Sequence, residues 1–143
     1  MPHHTPWKSE YRVGHASIDA QHEALLAQCE RLGACCRVAD EAERDRLFDE
    51  AFARLEALAH QHFEAECAML AERGWADLEA HRADCEEFDF LVAEVATTEN
   101  FDRLELQRFI TLWCIGHVAG AAPMLRELLG DAAQATAQAP RPD

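Results

Sequence analysis

Two short stretches set metal-binding side chains one helical turn apart. In "HRADCEEF", residues 81–88, His81 precedes Cys85 by four positions. In "HQHFEAECAML", residues 60–70, His62 precedes Glu66 by four. On a helix such a pair shares one face, so each pair could grip a single ion. His22 and His117 add two more imidazoles inside otherwise apolar stretches. The chemistry these residue types share is metal ligation, provided the fold brings them to one place.

Hydrophobic periodicity predicts four helices to carry them. The first starts near Asp19 and lines one face with His22, Leu25, Leu26, Cys29, Leu32 and Cys36. The second starts near Asp40, where Asp40 and Glu43 have capping-box spacing. It buries Leu47, Phe48, Leu55, Leu58, His62, Glu66 and Met69, and stops at Gly74. The third runs from Asp77 and buries His81, Cys85, Phe88, Val92 and Val95. The fourth runs from Asp102 and buries Ile110, Trp113, His117, Leu125 and Leu128. Short connections predict an all-α, up-down-up-down antiparallel four-helix bundle. Residues 1–18 read as an N-terminal arm, 19–129 as the bundle, and 130–143 as a flexible C-terminal tail.

In such a bundle the starts of odd helices neighbour the ends of even ones. His22, His62, His81 and His117 then meet towards one end, one per helix, with Glu66 pointing at the same place. A lone histidine on an apolar face is usually a satisfied core residue. Four at one level with a carboxylate are harder to bury, at about 1–3 kcal/mol for each unpaired polar group. A metal ion removes that cost, and imidazole with carboxylate suits iron.

Composition narrows the class. At 143 residues and 49% apolar, the chain suits one domain with a substantial core. Its 27 acidic against 13 basic side chains give a formal charge of −14, which argues against nucleic acid and anionic membrane surfaces as partners. The N-terminus carries no export leader, and the six cysteines show no CxxC spacing, so free thiols in a reducing cytoplasm are expected. The uncharged run "FITLWCIGHVAGAAPML", residues 109–125, falls short of the roughly 20 residues of a membrane span and reads as a buried helix. No phosphate loop, nucleophile elbow or catalytic triad is present, which favours a binding protein over an enzyme.

In this order and spacing the motifs resemble the hemerythrin family in its bacterial form, over roughly residues 7–128. "WKSEYRVGHASIDAQHEAL" is similar to the family's opening, with Trp7, Tyr11, Gly14, Ile18, Asp19 and His22 in place. His62 and Glu66 match its HxxxE helix, His81 and Phe88 its HxxxH helix, and "LWCIGH" the start of its last motif. The resemblance implies a four-helix bundle around a non-haem di-iron site that binds oxygen. It implies that His22 and His62 serve one iron, His81 and His117 the other, and that Glu66 bridges them.

Two positions depart from that pattern. The second histidine of HxxxH falls at Cys85, and the last aspartate falls at Ala122, immediately before Pro123. Alanine cannot ligate, and a proline inside a helix removes a hydrogen bond and tends to kink it. Cys85 reads either as a thiolate ligand or as a small hydrophobe left after a ligand was lost. Cys29, Cys36, Trp7, Trp75 and Trp113 read as packing, and Cys114 as packing one turn from His117. Cys67 is expected to point elsewhere, His60 to lie off the metal face, and His3, His4 and His15 to belong to the arm.

The expected function is a cytoplasmic hemerythrin-like iron protein, with one or two irons, that binds or senses oxygen or a related small ligand. Its expected metal ligands are His22, His62, Glu66, His81, Cys85 and His117. The alternative is a thiol-redox or iron-handling protein with a diverged, labile or mononuclear site.

Overall fold

The computed structural model describes residues 7–97 and 102–138. Among them the chain forms four α-helices and no strand: α1 (Ala16–Cys35), α2 (Glu41–Glu72), α3 (Leu78–Ala96) and α4 (Arg103–Gln138). Helix α1 packs on α2 and α4, and α2 packs on α3.

The helix ends follow local chemistry. Asp40 caps α2 by accepting from the Glu43 N–H at 2.9 Å. Asp102 does the same for α4, accepting from Leu104 and Glu105. Helix α2 ends in a Schellman turn: the Trp75 N–H donates to the Leu70 carbonyl and the Gly74 N–H to that of Ala71. Gly74 supplies the left-handed backbone, φ +65°, that this turn needs. Helix α1 begins earlier than the apolar periodicity suggests. His15 is its cap, through Nδ1 accepting from the Ile18 N–H, while Asp19 accepts from Val13 and Gly14 and closes the preceding turn.

Two apolar clusters hold the helices together. The larger joins Leu25, Leu26, Cys29 and Leu32 of α1 to Phe48 and Leu55 of α2, Phe88 of α3 and Ile110 of α4. The smaller joins Val13, Ile18, Met69, Leu70, Ala121, Ala122 and Leu125. Each fully buried leucine contributes about 2 kcal/mol of transfer free energy. Ahead of α1, a 3₁₀ turn at Ser9–Tyr11 packs on α4, with Tyr11 buried and Arg126 donating to the Glu10 carbonyl.

Helix α4 departs from expectation in three ways. It stays helical through Pro123, whose ring sits on the exposed side. It also continues past Gly130 to Gln138, where the sequence reading starts a loose tail; the run "DAAQATAQ" is rich in alanine and holds no glycine or proline. Finally, the uncharged run 109–125 is buried on one face only. Ile110, Cys114, Val118, Ala121, Ala122 and Leu125 point inward, whereas Phe109 and Leu112 are 43% and 70% exposed. From Arg103 to Leu129 the helix is long and apolar enough to pass for a membrane span, and a core helix of this kind passes the same test. The expected burial of Val95 falls on a side chain outside the described residues.

Candidate metal centre

Each helix delivers one imidazole to the same interior volume. His22 lies in the second turn of α1, His81 in the first turn of α3, and His62 and His117 further along α2 and α4. The i, i+4 spacing on α2 sets Glu66 one turn below His62 on the same face. His22, His62 and Glu66 are fully buried, and His81 is 8% exposed.

Glu66 is the hub, and its two oxygens face different histidines. Oε2 lies 2.6 Å from His62 Nε2 and 3.1 Å from His22 Nε2. Oε1 lies 2.8 Å from His81 Nε2 and 3.5 Å from His117 Nε2. Among the imidazoles, His22 Nε2 is 3.0 Å and His117 Nε2 is 3.3 Å from His62 Nε2. Ligands at right angles around a cation with bonds of about 2.1 Å stand about 3.0 Å apart. The observed spacings are of that size. Ligand atoms of His22, His62, Glu66 and His117 all lie within 4.8 Å of one another, so this set, buried except for the half-buried His117, can hold a metal ion.

Proton accounting points the same way. His62 Nδ1 lies 2.9 Å from the side-chain oxygen of Gln21, so this nitrogen donates and Nε2 turns its lone pair towards Glu66. Burial pushes His62 downward, outweighing the pull of the Glu66 charge, and favours the neutral ring. Burial alone would raise Glu66, but His117, His22, His62 and His81 together hold its carboxyl well below the usual carboxylate range. His81 Nε2 and Glu66 Oε1 are close yet lack hydrogen-bond geometry, and both are buried without such a partner. A cation beside these two unpartnered atoms would satisfy both, so the residues fit a metal.

Aromatic rings brace the far wall. Trp113 stacks on His117, with centroids 5.3 Å apart and planes 6° from parallel. Phe63 meets His117 edge-on, and Phe88 packs against both Phe63 and Trp113. Trp113 therefore orients a candidate ligand as well as filling space. Ala122, where the resemblance would place a second carboxylate, sits in the apolar cluster with Ile18, Leu70 and Leu125.

The thiols divide into two groups. Cys85 is 8% exposed, and its sulfur groups with Cys67 and His81, their ligand atoms within 4.8 Å of one another, rather than with His22 and His62. Burial pushes the Cys85 thiol up to about 12, and the charges of Cys67 and Glu66 press the same way. Cys29 and Cys114 lie thiol to thiol in the core, apart from the candidate ligands. His60 is exposed and pairs with Asp89 of α3, off the metal face as its spacing suggests. His3 and His4 lie outside the described residues.

Two participants escaped the sequence reading. Gln21 sits on the flank of α1, where no periodic pattern marks it as a partner of His62. Cys67 sits beside Glu66 in sequence, yet its sulfur reaches across to α3. No family model, curated protein or solved structure matches the chain.

Proposed function

We propose that the chain is a hemerythrin-like non-haem iron protein that binds or senses oxygen or a related small ligand. The observation that carries the reading is the convergence of four imidazoles, one from each helix, on one buried carboxylate. In this reading the helices run up-down-up-down around the site, the residues before α1 form an arm, and the protein works in the cytoplasm.

Iron held by imidazole and carboxylate supplies open positions where a small ligand can exchange. The chain's own residues prepare that site. His22 and His62 pair with Oε2 of Glu66, and His81 and His117 with Oε1, so these residues would hold the iron. Gln21 holds the His62 ring in one tautomer. Trp113 and Phe63 hold the His117 ring in place, and His117 and Trp113 also line a surface cavity with Asp84 and Glu87.

A second reading draws on Ala122. With a methyl group in an apolar cluster at that position, Glu66 is the only carboxylate in the convergent set among the described residues. A thiol-redox or iron-handling protein with a mononuclear or labile site would need no more.

Anaerobic loading with ferrous iron, metal analysis and then exposure to oxygen separates the readings. Tightly held iron with a reversible absorption change supports the first. Irreversible bleaching with loss of thiols supports the second, and a protein that takes up no iron refutes both.

A further inference from the structure

Cys67 and Cys85 stand outside the imidazole–carboxylate set, and together with His81, which borders both, they have the makings of a site. Cys67 comes from α2, and His81 and Cys85 stand one turn apart on α3, so the group staples two packed helices. A ring nitrogen of His81 and both sulfurs lie within 4.8 Å of one another. Tetrahedral coordination with bonds of about 2.0–2.3 Å needs ligand atoms about 3.3–3.8 Å apart, so small side-chain movements suffice. His81 is more than nine-tenths buried, and its Nε2 faces Glu66 Oε1 at 2.8 Å without a hydrogen bond.

Chemistry separates this group from its neighbour. Two sulfurs and an imidazole favour a thiophilic cation, whereas imidazole with carboxylate suits a harder one. Cys85 also lines a surface cleft with His60, Phe63, Glu64, Glu86 and Asp89, so one of the two sulfurs is open to solvent.

We propose that Cys67, His81 and Cys85 form a second metal seat, for a thiophilic divalent cation such as zinc, beside the imidazole–carboxylate centre. Binding forms two metal–sulfur bonds and one metal–nitrogen bond. The two S–H bonds break heterolytically, and both protons leave to solvent. Three protein ligands leave one position open. His81 also lies 2.8 Å from Glu66, so the new seat adjoins the first.

The test uses the full chain, reduced and anaerobic, titrated with cobalt as a coloured stand-in for zinc. One equivalent should produce thiolate-to-cobalt absorption in the near ultraviolet, which zinc abolishes. C67S and C85S should each remove it and weaken zinc binding by at least about 100-fold, since even outer-shell losses cost roughly 10–100-fold. Zinc should also shield two thiols of the wild type from alkylation, mapped to Cys67 and Cys85 by mass spectrometry. H62A should leave the thiolate absorption at full amplitude, because His62 belongs only to the other centre. No thiolate band in the wild type, an undiminished band in either serine variant, or protection of other cysteines would overturn the proposal. His81 is common to both centres, so the residues they do not share separate the outcomes: a thiolate band lost in C67S and C85S without iron uptake refutes the iron centre alone, and iron uptake lost in H62A without a thiolate band refutes this seat alone.

Discussion

Glu66 is the residue on which the centre turns, because both of its oxygens are engaged and each faces two imidazoles. Removing it should cost more than removing any single histidine. Glu66→Ala should abolish stable iron binding, and His62→Ala should lower iron content sharply while the far-ultraviolet circular dichroism stays helical. Gln21→Ala, which only frees the His62 ring, should weaken iron binding by about 10–100-fold. Metal analysis after gel filtration reads all three. Unchanged iron stoichiometry in both Glu66→Ala and His62→Ala would remove these residues from the centre.

Helix α4 carries both a candidate ligand and the largest departure from the hemerythrin pattern. At His117 it is braced by Trp113, whereas one turn and a little further on Ala122 is sealed between Ile18, Leu70 and Leu125. An aspartate there would enter an apolar cluster with no hydrogen-bonding group assigned to it. Ala122→Asp should therefore destabilise the metal-free protein by about 2–4 kcal/mol in urea unfolding. If the new carboxylate can swing to the centre, ferrous iron should recover more stability in this variant than in the wild type. A metal-free Ala122→Asp protein as stable as the wild type would mean that residue 122 is not packed as described. The helix tolerates Pro123 because its ring lies on the exposed side, away from that cluster.

At the scale of the whole molecule, the buried centre ties stability to pH. Burial lowers His62 in the folded state, so below its unfolded value of about 6.5 the unfolded chain binds a proton that the folded one resists. Stability is therefore full above that pH and falls as the pH drops through it. Glu66, also lowered, adds a second loss as the pH falls below its unfolded value of about 4.3. The urea midpoint of the metal-free protein should decline from pH 7.5 to 5.5 and again towards pH 4. Replacing His62 with glutamine should flatten the first decline. A wild-type midpoint constant between pH 7.5 and 5.5 would contradict the described burial of His62.

Helix identity and caps were legible in the chain because they depend on neighbours within a few positions, and the inward faces were legible in part: Leu47, Leu58, Trp113 and Leu128, expected inside, are half-buried. Asp40, Asp102 and Gly74 act where their local chemistry places them. The convergence of His22, His62, His81 and His117 was legible for a related reason: each lies on an apolar stripe, and four such stripes must share one interior. Tertiary packing decided the rest. The rotation of α2 against α3 carries the Cys67 sulfur to His81 and Cys85, although its sequence position beside Glu66 suggested another direction. The setting of α1 against α2 brings Gln21 to His62, and the setting of α4 leaves Phe109 and Leu112 exposed in a run that reads as a buried helix. Helical period defines which residues share a face. Which atoms meet across two faces is set by how side-chain ridges of one helix seat in the grooves of the next, and that depends on every side chain in the contact at once.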